Sequence, residues 1–88
     1  MAIETYGQVG EFVEMLVTQL VDNPDAVSVE AVEQSDREVC VEVSADPADI
    51  GKIIGRSGRT IKSIRTLARA AASDAGFRVE VEIVEEDE

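Results

Sequence analysis

The chain has 88 residues, enough for one domain with one core and too few for a second. It is 44% hydrophobic and 31% charged with a net charge of −11, which excludes a disordered chain and, taken whole, argues against indiscriminate nucleic-acid binding. With no histidine and one cysteine, it excludes Cys/His zinc sites, histidine-dependent triads and an internal disulfide.

The first residues, MAIETYGQVGEF, lack the basic-then-apolar pattern of a signal peptide, and no apolar run reaches the length of a membrane span. Together with the lone thiol, this sets the expectation of a cytosolic protein. Val9, Phe12, Val13, Leu16, Val17 and Leu20 recur at helical spacing and predict an amphipathic first helix. Thr5 with Gln8 fits a capping box at its start, and Asn23-Pro24 is the predicted stop. A strand is predicted over 26–33, then a turn at Gln34-Ser35-Asp36-Arg37. Val39, Val41 and Val43 alternate with Cys40, Glu42 and Ser44 as a second strand, antiparallel to the first. Cys40, opposite the valines and without a nearby cation, reads as inert.

Asp46-Pro47-Ala48-Asp49 is a helix start: aspartate as N-cap, proline at the first helical position, a second aspartate in the first turn. The short helix it opens carries Ile50, Ile53 and Ile54, and Gly55-Arg56-Ser57-Gly58 interrupts it. A third helix is predicted from Arg59 to Ala75, with Ile61, Ile64, Leu67, Ala68, Ala71 and Ala72 as its buried stripe and Gly76 just past its end. Phe77, Val79, Val81 and Ile83 alternate as a third strand, and Glu85-Glu86-Asp87-Glu88 forms an acidic tail. The predicted order is α-β-β-α-α-β: an α+β fold with a three-stranded sheet and its helices on one face.

The charge is unevenly distributed. Lys52, Arg56, Arg59, Lys62, Arg65 and Arg69 lie in one stretch with no acid between them, while all 19 acids fall outside it beside only Arg37 and Arg78. A polyanion would dock on that stretch. Within it, Gly55 and Gly58 let the backbone take angles closed to other residues and bring a phosphate near the main chain. The following helix start offers free N–H groups and the positive end of its dipole. Arg56, Arg59 and Lys62 can then meet phosphates, with Ser57 as a hydroxyl donor and Lys52 close by. Ile53, Ile54 and Ile61 pin both helices to the core. Arg65 and Arg69 fit solvation, pairing with acids or phosphate contact equally well.

A bare G-x-x-G is weak. The extended Ile53-Ile54-Gly55-Arg56-Ser57-Gly58-Arg59-Thr60-Ile61-Lys62-Ser63-Ile64 resembles the KH domain, whose GXXG loop clamps about four nucleotides of a single strand. The element order is similar to the type II arrangement. Asp22-Asn23-Pro24, Asp49 to Gly58 and Ile64-Arg65-Thr66-Leu67-Ala68-Arg69-Ala70 extend the likeness to the small stand-alone bacterial KH proteins of the KhpA (YlqC-like) family, over Phe12 to Ile83. The resemblance implies a single type II KH domain over 1–84 with an acidic tail over 85–88, and single-stranded RNA binding in the bacterial cytoplasm as a small RNA chaperone or post-transcriptional regulator. It implies a homodimer, or a heterodimer with a larger KH-containing protein of the KhpB (Jag) type. It also adds an apolar floor for bases from among Ile53, Ile54 and Ile61. The candidate RNA-binding residues are therefore Lys52, Ile53, Ile54, Gly55, Arg56, Ser57, Gly58, Arg59, Ile61 and Lys62, with no cofactor, metal or catalytic residue. The acidic remainder keeps a second reading open: a protein-interaction module in which RNA binding is weak or lost.

Overall fold

The computed structural model describes residues 2–85, so the acidic tail beyond Glu85 lies outside the described residues. Six main elements follow in order: α1 (Tyr6–Thr18), β1 (Ser28–Ser35), β2 (Glu38–Ser44), α2 (Ile50–Ile54), α3 (Arg59–Ala72) and β3 (Arg78–Ile83). The strands form one sheet in the order β1-β2-β3, with the helices on one face as the periodicities predict. β1 and β2 pair antiparallel, joined by the two-residue turn Asp36-Arg37, in which Arg37 takes φ 64°. β2 and β3 pair parallel, because α2 and α3 carry the chain back across the sheet before β3 begins.

The core is aliphatic. Val39, Val41 and Val43 of β2 and Val79 and Val81 of β3 face Val9, Val13 and Val17 of α1 and Ile61, Ile64, Ala68 and Ala72 of α3. Gly10 sits so close to β1 that a Cβ there would lie 3.2 Å from that of Ala31, which lets α1 lie flat on the strand. Ile3, ahead of the helix, is buried with them, a core residue the periodicity does not reveal.

α1 begins as predicted, with both halves of the Thr5–Gln8 capping box formed. It ends earlier than Asn23-Pro24. Thr18 turns its hydroxyl back to the carbonyls of Glu14 and Met15, and Gln19 caps the helix, so Leu20 is exposed rather than part of the stripe. Pro24 instead opens a short 3-10 turn, Pro24–Ala26, and this displaces β1 to Ser28–Ser35 from the predicted 26–33. Asp46 caps a 3-10 turn, Pro47–Asp49, that leads into α2. α3 is shorter than predicted, closing with the turn Ser73–Ala75 and Gly76 at φ 80°. Leu67 is 49% exposed, against the prediction. The buried line Ile61, Ile64, Ala68, Ala72 takes steps of three and four, which leaves Leu67 on its solvent flank. No described helix is long and apolar enough to cross a membrane.

Candidate nucleic-acid interface

α2 and α3 meet at the loop Gly55–Gly58, and each glycine has a different task. Gly55 takes φ 77°, ψ 173°, a combination essentially reserved for glycine. A Cβ there would run into the hydroxyl of Thr60 and lie 2.6 Å from its Cβ and 2.8 Å from its backbone nitrogen. Gly55 is thus fixed by packing as well as by angle, and Thr60 is the residue that fixes it. Gly58 is left-handed at φ 74°, and nothing lies within 4 Å of where its Cβ would stand. The main chain is therefore open to a ligand at Gly58. Ser57, between them, also has positive φ, at 57°. The Gly58 N–H donates to the Gly55 carbonyl at 3.2 Å, closing the loop into one 3-10 turn, and no side chain caps the start of α3.

The charged side chains are arranged outward. Arg56, Ser57, Arg59 and Lys62 are exposed, and among the described residues none of Arg56, Arg59 or Lys62 is paired with an acid. Beneath them Ile53 is fully buried and Ile61 nearly so, while Ile54 stays half-buried beside the loop. Nine of the ten residues singled out in the sequence, Ile53 to Arg59 with Ile61 and Lys62, lie at one corner where α2, the loop and the start of α3 meet, with the isoleucines as its footing.

Lys52 stands apart from the other cations. Its Nζ donates to Asp22 at 2.7 Å and to Asp49 at 3.2 Å. Asp49, predicted only as a first-turn acid, is 0% exposed. It accepts from the backbone N–H of Asp22 (3.3 Å) and of Asn23 (3.0 Å) and from Asn23 Nδ2 (3.1 Å). Burial pushes the Asp49 carboxyl up. The bonds donated by Asn23, Lys52 and Asp22 outweigh it, so the group sits below the usual aspartate range. The bonds to Asp22 and then Asp49 hold Lys52 above the ordinary lysine range. This staple ties the start of α2, and so the loop it leads into, to the segment after α1. Periodicity cannot reveal it, because its two acids, Asp22 and Asp49, sit in connectors. The available signal is a second aspartate three residues before a lysine in a helix start.

Arg65 and Arg69 have a role that the sequence leaves open. Arg65 donates from Nε and an Nη to the Val81 carbonyl, both at 3.2 Å, and Arg69 Nε donates to the Val79 carbonyl at 3.3 Å. Both guanidinium groups thus stand between α3 and the outer edge of β3, continuing the positive charge away from the loop.

On the far face of the sheet, ligand atoms of Cys40, Glu42 and Glu82 gather within 4.8 Å. Burial first, then Glu82, Glu42 and Glu80, pushes the Cys40 thiol up, so the thiolate a metal or nucleophile requires is disfavoured. That cluster is on the sheet face away from the helices and takes no part in the loop.

A family model for the KhpA/KhpB KH domain matches residues 10–83. Among curated proteins, the RNA-binding protein KhpA of Caldanaerobacter subterraneus subsp. tengcongensis is 44% identical over 75 residues, covering 85% of this chain and 99% of that protein. RNA-binding protein KhpA of Chlamydia pneumoniae is 46% identical over 76 residues (86% and 96%), and that of Borreliella burgdorferi 37% over 83 residues (94% and 100%). Among solved structures, the fold is similar to part of Era in a crystal structure with MgGDPNP and nucleotides 1506–1542 of 16S ribosomal RNA. The TM-score is 0.60 at 22% identity, over 85% of this chain and 28% of that one. This likeness concerns the fold alone.

Proposed function

Because the chain belongs to the KhpA/KhpB KH-domain family, a family of non-enzymatic proteins, we propose that it binds single-stranded RNA through the corner formed by α2, the Gly55–Gly58 loop and α3. The observation that carries this reading is the open main chain at Gly58, ringed by Arg56, Arg59 and Lys62, exposed and without acid partners among the described residues. A phosphate can approach there without meeting a side chain. The amides and positive dipole end of α3 and three exposed cations then neutralise successive phosphates. Contact falls to Gly55 through Gly58, Arg59, Lys62 and the exposed part of Ile54. Ile53 and Ile61 support the loop from below, and Lys52 acts through the staple on Asp49. Bases then extend along α3 toward the β3 edge, where Arg65 and Arg69 stand.

Such a site reads the backbone more than the sequence. It suits a small RNA chaperone or post-transcriptional regulator of the bacterial cytoplasm, in line with the curated relatives, which are named RNA-binding proteins. One site of this size binds weakly. A second in a homodimer, or beside it on a larger KhpB (Jag)-type protein, raises affinity through effective concentration. The test is a salt titration of binding to short single-stranded RNA. Three to five neutralised phosphates give a slope of log affinity against log salt of about −2 to −3.5. The folded Arg56→Asp/Ser57→Asp variant loses binding. Equal binding by both proteins sinks the loop as the site.

A further inference from the structure

The two edges of the sheet are treated differently. The β3 backbone donates back to β2 from Arg78 and Val84, so the groups of Val79 and Val81 point outward, and Arg69 and Arg65 occupy their carbonyls. The same bonds end on the carbonyls of Arg37 and Val43, so odd positions of β2 face β3 and even ones face β1. Glu42 and Cys40 stand opposite Glu30 and Val32, which therefore bond to β2. Val29, Ala31 and Glu33 consequently turn their N–H and C=O groups outward. Among the described residues, no hydrogen bond from elsewhere in the chain reaches these groups. The β1 edge is left open where the β3 edge is capped.

The outer face beside that open edge is acidic in a specific register. Glu30 pairs with Glu42 and Glu42 with Glu82, so three carboxylates form one row across all three strands. Glu80 stands in the next row beside Cys40. Like charges directly opposite one another destabilise a sheet. A further strand on β1 would place one of its side chains at the end of that row, next to Glu30, where a cation relieves the repulsion.

We propose that the β1 edge is a docking site for an extended, basic segment of a partner protein. The segment adds a fourth strand by bonding to Val29, Ala31 and Glu33 and lays a lysine or arginine beside Glu30, in line with Glu42 and Glu82. A second copy of the chain does not fit this edge. Two-fold pairing of β1 sets Glu30 and Glu33 of one copy near those of the other, between molecules of net charge −11. The docking surface is separate from the loop and stands whether or not RNA binds there.

The test uses the 15N-labelled full chain and an end-blocked octapeptide in which lysine and valine alternate. At a peptide concentration ten times its Kd, hydrogen exchange at the amides of Val29, Ala31 and Glu33 slows about tenfold. The Glu30→Lys/Glu42→Lys variant, with its spectrum still dispersed, loses the basic peptide about tenfold in affinity and gains the analogue with glutamate for lysine. Three results overturn the proposal. One is unchanged exchange at those amides with the peptide bound diffusely over other acids. Another is unaltered peptide choice in the charge-reversed variant. The third is protection that appears with protein concentration alone, which identifies a second copy as the occupant.

Discussion

The two loop glycines should fail differently when a methyl group is added. At Gly58 the angles, φ 74° and ψ 15°, are those an L-residue reaches at a cost of about 1–2 kcal/mol, and the site is empty. Alanine also restricts the unfolded chain, which returns about 0.4–1 kcal/mol. Gly58→Ala should therefore destabilise by about 1 kcal/mol, or about 4–8 °C in Tm for a domain of this size. At Gly55, ψ of 173° lies where only glycine is comfortable, which costs about 1–3 kcal/mol for another residue. The contacts with Thr60 come on top, and one of them, at 2.8 Å, is to backbone. Repacking strain of this kind costs about 1–3 kcal/mol more, so Gly55→Ala should lose about 3 kcal/mol or more. Thr60→Ala in the same chain recovers only part of this, because the Cβ and backbone nitrogen of residue 60 stay in place. Urea unfolding monitored by circular dichroism gives the stabilities, and RNA titration gives the second readout. Gly58→Ala should remain folded yet lose RNA affinity at least about tenfold, because its methyl occupies the space left for a phosphate. Equal destabilisation by the two variants, or full RNA affinity in Gly58→Ala, refutes the division of labour.

Ser57→Gly relieves a left-handed serine at φ 57° and should raise stability by up to about 1 kcal/mol, read from the urea midpoint; a fall means that its hydroxyl holds the loop. Asp49 has a lowered carboxyl pKa, so its contribution to stability is complete above about pH 4 and is lost as pH falls through the folded value. The stability gap between the wild type and Asp49→Asn should accordingly close below about pH 4, and a gap independent of pH counts against the buried charge. Arg65→Ala/Arg69→Ala uncovers the β3 carbonyls, and sedimentation should show association that grows with concentration beyond that of the wild type. A variant that associates no more than the wild type means that the arginines are not what closes that edge.

Much of this fold is legible from spacing. The valines of β2 alternate and the apolar residues of α1 recur on one face because each element buries one side, and a buried side imposes its period on the sequence. The capping box at Thr5 is local chemistry and reads just as directly. Leu67 misleads because a run rich in alanine gives α3 a broad apolar arc, and the core takes only its narrow middle. The end of α1 misleads because proline marks where a helix cannot continue, and Thr18 and Gln19 end it sooner. The loop glycines are visible in the sequence, but Thr60 as the wall behind Gly55 is not. Neither are the bonds that join Asp22 and Asn23 to the Asp49–Lys52 pair, nor the arginine caps on β3, since each joins residues whose closeness depends on the assembled fold.

Charge segregation makes the RNA site testable at a distance. The loop lies in the helix layer, whereas Glu30, Glu42, Glu80 and Glu82 line the opposite face of the sheet, in a domain 22 Å across its shortest axis. The Debye length is about 8 Å at physiological ionic strength, so the acids are largely screened from a strand on the loop and the two faces act independently. At about 0.01 M salt it grows to about 30 Å, longer than the domain is thick, and the net charge of −11 then acts on the RNA as a whole. Affinity should rise linearly on the logarithmic scale as salt is lowered to about 0.1 M, then flatten toward 0.01 M. The Glu30→Lys/Glu42→Lys variant, which leaves the loop intact, should coincide with wild type at high salt and rise above it at low salt. Coincidence of the two curves throughout means that the far face exerts no field on the loop. Separation already at 0.2 M means that RNA reaches the sheet itself and that the site is larger than the corner between α2 and α3.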